Sequence, residues 1–184
     1  MKLRKNISPK PEMIRKIEVS DYDPNWANEF EKEATNLKKI FGGELLEIQH
    51  IGSTSIPGMD AKPIIDILMV AQDIQKIDCF NQKMQYAGYS PKGENGIPGR
   101  RFFIKGDELH HTHHLHVFQK GHADVVRHLN FRDYLIAHPE EANEYSHLKK
   151  ALANRYPLDI DSYQSGKEQF IRDIDRKAKV WRIC

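Results

Sequence analysis

Residues 48–70, IQHIGSTSIPGMDAKPIIDILMV, form the stretch that decides the fold. The pattern predicts a strand ending at Ile51, a turn at Gly52-Ser53 and a second strand over residues 63–71. Asp66 is the only charged residue among the apolar residues of that second strand, and a segment that is apolar on both faces is typical of a buried central strand. A carboxylate there is costly unless it meets a cation, a metal ion or hydrogen-bond donors. We therefore expect Asp66 to have a partner of this kind.

The Gly52-Ser53 turn indicates a phosphate-binding position. Glycine lets the backbone approach a bulky ligand closely, and a turn can direct successive N–H groups and a hydroxyl toward a phosphate. Gly52 and Ser53 are therefore candidate phosphate ligands.

Composition and charge narrow the class of protein. The chain has 184 residues, with 28 basic and 26 acidic side chains and a formal net charge of +2, so its overall charge does not indicate nucleic acid or a membrane as a partner. Two cysteines are too few for a disulfide framework. No apolar run approaches the ~20 residues of a membrane span or forms the core of a signal peptide. We expect a soluble cytoplasmic protein with a flexible basic arm over residues 1–15 and a single domain over 16–184. The sequence does not indicate an oligomeric state.

Hydrophobic periodicity predicts an α/β or α+β fold, with a mixed sheet, helices packed on it and a helical C-terminal half. The predicted strands are 17–19, 45–51, 63–71, 100–105 and 113–118, and the predicted helices before the C-terminal half are 24–41 and 73–88. Residues 90–99 are predicted to form a flexible connection. After His122 the pattern is helical, with a second helix opened by Pro139 and a third capped by Ser162.

Two strings, HIGSTSIPG at 50–58 and AKPIIDI at 61–67, resemble the GrpB family, a branch of the nucleotidyltransferase superfamily. The resemblance continues in order along most of the chain, through 21–26, 114–117, 131–135, 145–149 and 163–167. It implies a nucleotidyltransferase-like domain. In that superfamily the Gly-Ser pair holds the terminal phosphates of a nucleoside triphosphate, and acidic residues on the next strands hold Mg²⁺.

The candidate metal site departs from the pattern of that superfamily. There, two acids alternate on one strand and share two Mg²⁺ ions, whereas here Asp66 is followed two positions on by Leu68. His114 and His116 share one face of a later predicted strand and are the candidates for holding one divalent ion with Asp66, the candidate catalytic residue. One carboxylate with substrate phosphates suffices for Mg²⁺, while imidazole favours Mn²⁺ or Zn²⁺. His116 is alternatively a hydrogen-bonded core histidine.

Four basic side chains are candidates for further phosphate contacts. Lys62 stands four residues before Asp66 and is alternatively a surface lysine. Arg132, Lys149 and Lys167 lie on the predicted C-terminal helices, and each is alternatively part of a solvated helix face.

The resemblance and these residues lead to two hypotheses. The first is a nucleotidyltransferase-like protein that binds a nucleoside triphosphate, or another phosphorylated small molecule, with a divalent metal, and transfers a nucleotidyl group to an unidentified acceptor. The alternative is a non-catalytic nucleotide- or metal-binding module, which Leu68 favours. The resemblance also suggests a link to coenzyme A metabolism, because similar domains occur fused to dephospho-coenzyme A kinases. If Asp66 is kept for a metal, Asp66→Asn should leave the ligand-free protein equally stable or more stable.

Overall fold

The computed structural model describes residues 15–107 and 109–182. Most of the predicted basic arm over residues 1–15 therefore lies outside the described residues. Within them the strands are β1 (Leu45–Ile51), β2 (Ile65–Ala71), β3 (Tyr89–Pro91), β4 (Arg100–Gly106) and β5 (His111–Gln119). The α-helices are α1 (Asn25–Phe41), α2 (Asn81–Tyr86), α3 (Ala123–Ala137), α4 (Pro139–Arg155) and α5 (Ile160–Trp181). None of these helices is both long enough and apolar enough to cross a membrane.

The strands form one mixed sheet in the order β1-β2-β5-β4-β3. β2 runs parallel to β5, and the other neighbouring pairs are antiparallel. Because β2 lies between β1 and β5, Asp66 is on an interior strand. The predicted mixed sheet, with the Asp66 strand inside it, is confirmed.

One face of the sheet packs against α1 and α2. Alternate residues of a strand point to the same face, so Ile65 and Ile67 of β2 share a buried core with Leu115 and Val117 of β5. α1 contributes a stripe of buried side chains at helical spacing: Trp26, Phe30, Ala34, Leu37 and Phe41. Burying one large side chain of this kind contributes about 1.5–3 kcal/mol, so this stripe holds α1 against the sheet.

Helix α1 matches the predicted helix 24–41 closely, and local groups define its two ends. The Asp23 carboxylate accepts a hydrogen bond from the Asn25 backbone N–H at 2.8 Å, which satisfies one of the free donors of the first turn. At the other end Gly42 has a φ of +54°, a left-handed conformation that suits glycine and stops the helix.

The opposite face of the sheet packs against the C-terminal helices. Leu68, Val70 and Phe118 are buried there together with Ile51 at the end of β1. Another group of buried side chains joins α3, α4 and α5 to the loop after β1: Ile56, Met59, Tyr134, Leu135, Ala142, Tyr145, Ile174 and Ala178. The predicted helical C-terminal half is confirmed, and its second helix begins at Pro139 as expected.

Some local predictions were wrong. The helix predicted over 73–88 is a 3-10 helix over Ile74–Phe80 followed by the short α2, because the apolar positions of its first part recur every three residues, the 3-10 period. Residues 17–19 form no strand, and the nearby pairing is a single bridge between Ser20 and Ala61. The predicted connection over 90–99 contains the end of β3. The cap of α5 is Asp159, whose carboxylate accepts a hydrogen bond from the backbone N–H of Ser162.

Candidate functional site

A cavity of about 540 Å³ lies between the polar end of the sheet and the C-terminal helices. It brings together most of the residues that the sequence singled out. Those that line it are Gly52, Ser53, Lys62, Asp66, His114, His116, Lys149 and Lys167. The predicted residues of the turn, the central strands and two of the helices therefore face one space.

Gly52 lies directly against the Asp66 carboxylate. A Cβ atom added at Gly52 would lie 2.5 Å from Asp66 Oδ2, and the φ of Gly52 is +71°. Both the close approach and the positive φ exclude a larger residue here. Gly52 thus leaves room for the Asp66 carboxylate. Ser53, the next residue, lines the cavity.

Asp66 meets two imidazoles because of the register of β2 and β5. Asp66 is paired with His114 across the parallel strands, and His116 follows two residues later on the same face. Asp66 Oδ1 lies 3.2 Å from His114 Nδ1 and 3.7 Å from His116 Nε2. Burial alone would raise the pKa of Asp66, but the hydrogen bonds and charges of the two histidines outweigh it and lower that pKa well below its usual value. Asp66 is therefore held as a carboxylate.

Burial acts on His116 in the opposite sense, because it lowers the pKa of that imidazole, although the Asp66 carboxylate partly opposes the effect. Within residues 15–107 and 109–182, no three His, Cys, Asp or Glu side chains are arranged to hold a metal ion by themselves. Leu68, at the position of a second acid, is fully buried. A divalent ion at Asp66 would therefore need further donors from a bound ligand.

Three lysines from separate segments also line the cavity. Lys62 comes from the loop before β2, Lys149 from α4 and Lys167 from α5. Lys62 Nζ and Lys167 Nζ lie 5.2 Å and 4.5 Å from the ring centroid of Tyr163. None of the three lysines forms a salt bridge with a carboxylate in the part of the chain that the structure describes.

The lysines are buried more than their sequence positions suggest. Lys149 is only 3% exposed, and its ammonium lies 4.6 Å from the ring centroid of Tyr145. Burial, together with the charge of Lys167, lowers the pKa of Lys149 to about 7. Burial and the charges of Lys167 and Arg15 lower the pKa of Lys62 to about 8. Burial lowers the pKa of Lys167 as well.

The loop that carries Lys62 is bonded to α4 through both backbone groups of one residue, Asp60. The Asp60 backbone N–H donates to Ser146 Oγ at 3.1 Å, and the Asp60 carbonyl accepts a hydrogen bond from Lys149 Nζ. The Asp60 carboxylate also lies 2.8 Å from Lys150 Nζ. This loop and α4 are therefore connected by three polar contacts.

Arg132 does not lie with the other predicted residues. Its Nη1 donates to the His50 carbonyl at 2.9 Å and to Gln49 Oε1 at 3.2 Å, and its Nε donates to Asp133 Oδ1 at 2.8 Å. The guanidinium thus joins α3 to β1 and is engaged with protein acceptors.

The cavity also contains residues that the sequence reasoning did not place in it. Arg100 and His128 line it, and so do Tyr145 and Tyr163. The Tyr163 hydroxyl is buried and has no hydrogen-bond partner among the described residues. A usable signal was present for the tyrosines, because Tyr145 and Tyr163 each stand four residues before one of the cavity lysines on the same helix.

The mixed sheet, the Gly52-Ser53 turn against Asp66 and the helical C-terminal half define an α+β protein with one polar cavity. Comparison with known proteins gives its family. The family described as GrpB protein matches residues 16–177. The chain belongs to the GrpB family, as its sequence predicted.

Individual relatives agree with this assignment. The UPF0157 protein YqkA of Bacillus subtilis is 48% identical over 168 residues, which cover 91% of this chain and 49% of YqkA. This chain thus spans about half the length of that relative. A crystal structure of the conserved protein GrpB from Enterococcus faecalis matches with a TM-score of 0.85 at 42% identity, covering 89% of this chain and 99% of the other.

A more distant similarity concerns a protein named dephospho-CoA kinase from Mycolicibacterium paratuberculosis. It is 26% identical over 184 residues, which cover 86% of this chain and 45% of that protein. A GrpB-like segment thus makes up part of a longer chain there.

Proposed function

We propose that the cavity binds the phosphate groups of a nucleoside triphosphate or a related phosphorylated small molecule. The observation that carries this proposal is the set of lysines Lys62, Lys149 and Lys167, which face one cavity without a carboxylate in salt-bridge contact among the described residues. A buried charge is costly unless it is paired. An anionic ligand supplies the missing partner.

The ligand is expected to carry several negative charges. The three lysines approach from the Lys62 loop, α4 and α5, so a chain of phosphates can contact more than one of them at once. Gly52 and Ser53 lie on the sheet side of the same cavity. A nucleoside triphosphate, as the resemblance implies, offers enough phosphates to reach both sides. Tyr163 adds a hydroxyl that has no hydrogen-bond partner within residues 15–107 and 109–182.

A divalent ion is the second part of the proposal. Asp66, with one or both of the imidazoles of His114 and His116, would hold it together with phosphate oxygens; a carboxylate with phosphates suits Mg²⁺, and an added imidazole favours Mn²⁺ or Zn²⁺. The ion would offset phosphate charge and orient the phosphates. Transfer of a nucleotidyl group to an acceptor is the reaction that the resemblance to the superfamily implies.

A non-catalytic binding module is the second candidate, and Leu68 favours it. Its side chain is 0% exposed, so the position of the second acid is part of the apolar core. The GrpB-like segment of a dephospho-CoA kinase makes a phosphorylated compound of coenzyme A metabolism a reasonable ligand for such a module.

Calorimetric titration with pyrophosphate and with each nucleoside triphosphate, with and without Mg²⁺ or Mn²⁺, tests the binding proposal. Lys167→Met should weaken pyrophosphate binding about tenfold or more, a loss of about 1.4 kcal/mol. Lys179→Met is a matched control, because Lys179 is an exposed lysine of the same helix, and it should change the affinity less than twofold. Equal affinities of both variants and the parent would contradict the proposal.

Pyrophosphate release separates the two candidates. A nucleotidyltransferase incubated with a nucleoside triphosphate and Mg²⁺ or Mn²⁺ releases pyrophosphate when an acceptor is present, so the assay includes a small-molecule extract as the acceptor source. Tight binding without release, under conditions in which Lys167→Met weakens binding, would favour the module.

A further inference from the structure

Arg100 is a buried arginine of the cavity whose guanidinium makes three polar contacts. It is 5% exposed. Its Nε donates to the Glu94 carbonyl at 3.1 Å and its Nη2 to the Asn95 carbonyl at 2.6 Å. Its Nη1 lies 3.3 Å from His116 Nδ1. The two loop carbonyls fix the guanidinium in place, so its third contact is fixed as well.

The contact with Arg100 determines which nitrogen of His116 carries the hydrogen. A guanidinium has N–H donors and no acceptor, so His116 Nδ1 must present its lone pair to Arg100. A neutral imidazole then carries its hydrogen on Nε2. That nitrogen lies 3.7 Å from Asp66 Oδ1, and the carboxylate can only accept.

His114 is placed differently, although it contacts the same oxygen of Asp66. Its Nδ1 lies 3.2 Å from Asp66 Oδ1, while its Nε2 lies 3.2 Å from Nδ1 of His111. A second imidazole can act as donor or acceptor. His114 can therefore move its hydrogen to Nε2 and free Nδ1, whereas the same change in His116 would set an N–H against the N–H of Arg100.

We infer that Arg100 is a positioning residue, which holds the hydrogen of His116 on Nε2, the nitrogen that faces Asp66, so that of the two imidazoles only His114 can act as a metal ligand. The part that concerns metal rests on the proposed function. The part that concerns the His116 tautomer holds for the ligand-free protein. His116 thus orients the carboxylate, and any divalent ion at Asp66 is shared with His114 and the ligand.

Nitrogen NMR of the ligand-free protein, with ¹⁵N-labelled histidine, tests the tautomer directly. We expect His116, assigned by its loss in His116→Gln, to show a hydrogen on Nε2 and a lone pair on Nδ1. Arg100→Met should raise the fraction with the hydrogen on Nδ1. Arg101→Met should not, because Arg101 bonds Asp78 on the other face of β4. A parent spectrum with the hydrogen on Nδ1, or on both nitrogens, would overturn the inference even if Arg100→Met fails to fold.

Mn²⁺ binding, followed by the electron paramagnetic resonance signal of the free ion in the presence of pyrophosphate, tests the ligand assignment. We expect His114→Gln to weaken Mn²⁺ binding at least tenfold and His116→Gln, which keeps an N–H donor, to weaken it less than threefold. Equal losses in the two variants would overturn the assignment. If the parent protein binds no Mn²⁺, both the metal half of the proposed function and the metal half of this inference fail, while the NMR result still decides the role of Arg100.

Discussion

Replacing Asp66 with Asn tests whether its carboxylate stabilises the folded protein without a ligand. The sequence alone led us to expect no loss of stability, because a carboxylate kept for a metal is an unfavourable charge in the ligand-free protein. The structure places imidazole nitrogens 3.2 Å and 3.7 Å from Asp66 Oδ1, and the lowered pKa of Asp66 means that its surroundings favour the charged form. We now expect Asp66→Asn to destabilise the ligand-free protein.

The magnitude follows from what the substitution removes. Asn keeps one acceptor oxygen, but the hydrogen bond from His114 loses its charge assistance, and an amide group is left near Gly52. Losing a charge-assisted hydrogen bond costs about 1–3 kcal/mol. Each kcal/mol shifts the melting temperature of a chain of this size by about 2–4 °C, so a fall of about 3–10 °C is expected.

Thermal unfolding at pH 7.5, followed by circular dichroism, measures this shift. Asp21→Asn is the control, because the Asp21 side chain is 90% exposed and its ion pair among the described residues is with Lys150, at 2.7 Å. Exposed pairs contribute little to stability, so the control should melt within a few degrees of the parent. A melting temperature of Asp66→Asn equal to or above that of the parent would refute the reasoning. The carboxylate would then be an unfavourable charge awaiting a ligand.

The pH dependence has a definite sign. Because the pKa of Asp66 is lower in the folded protein than in the unfolded chain, its contribution is fully present above the unfolded value of about 3.9. The contribution is lost as the pH falls from there toward the folded pKa. The difference in stability between the parent and Asp66→Asn should therefore shrink below about pH 4.

Gly52→Ala should destabilise the protein more than Gly58→Ala in urea unfolding. Both glycines have a positive φ, but of the two only Gly52 would bring a Cβ against a carboxylate. Equal losses of stability would mean that the φ angle alone matters. Arg132→Met should lower the free energy of unfolding by about 1–3 kcal/mol and leave pyrophosphate affinity unchanged, and a tenfold loss of affinity would place Arg132 in the site. Pyrophosphate binding at pH 8 should take up protons, because the pKa values of Lys149 and Lys62 are lowered to about 7 and about 8 and a bound anion raises them. Calorimetry in two buffers of different ionisation enthalpy measures this uptake, and identical apparent enthalpies would contradict it. The same lowered pKa values predict that the ligand-free protein gains stability as the pH rises from about 7 to about 10, since the unfolded chain binds more protons there, and urea midpoints across that range would show the trend.

The strands and the first helix could be predicted because their signals are local. β1 matches its prediction, and β2 and β4 differ from theirs by one or two residues at one end. The prediction of one α-helix over residues 73–88 was wrong because apolar residues spaced by three and by four are hard to distinguish in a short window. The two spacings favour different helices, the 3-10 helix and the α-helix.

The site could be predicted only in part. The approach of Asp66, His114 and His116 follows from strand pairing, since alternate residues share a face. The contacts of Lys149 and Lys167 depend on how α4 and α5 pack over the sheet, which no local pattern encodes. Arg132 and Lys149 looked alike as basic residues on helices. The structure separates them, because Arg132 contacts β1 and Lys149 faces the cavity.

The bonds between Asp60 and α4 have a consequence for affinity. Both backbone groups of Asp60 are bonded to side chains of α4, at Ser146 and Lys149, so Lys62, two residues further on, is set relative to Lys149 before any ligand arrives. The conformational entropy of this loop is lost when the protein folds, not when the ligand binds. An anion entering the cavity therefore meets a preorganised pair of ammonium groups, and its affinity is not reduced by ordering the loop that carries one of them.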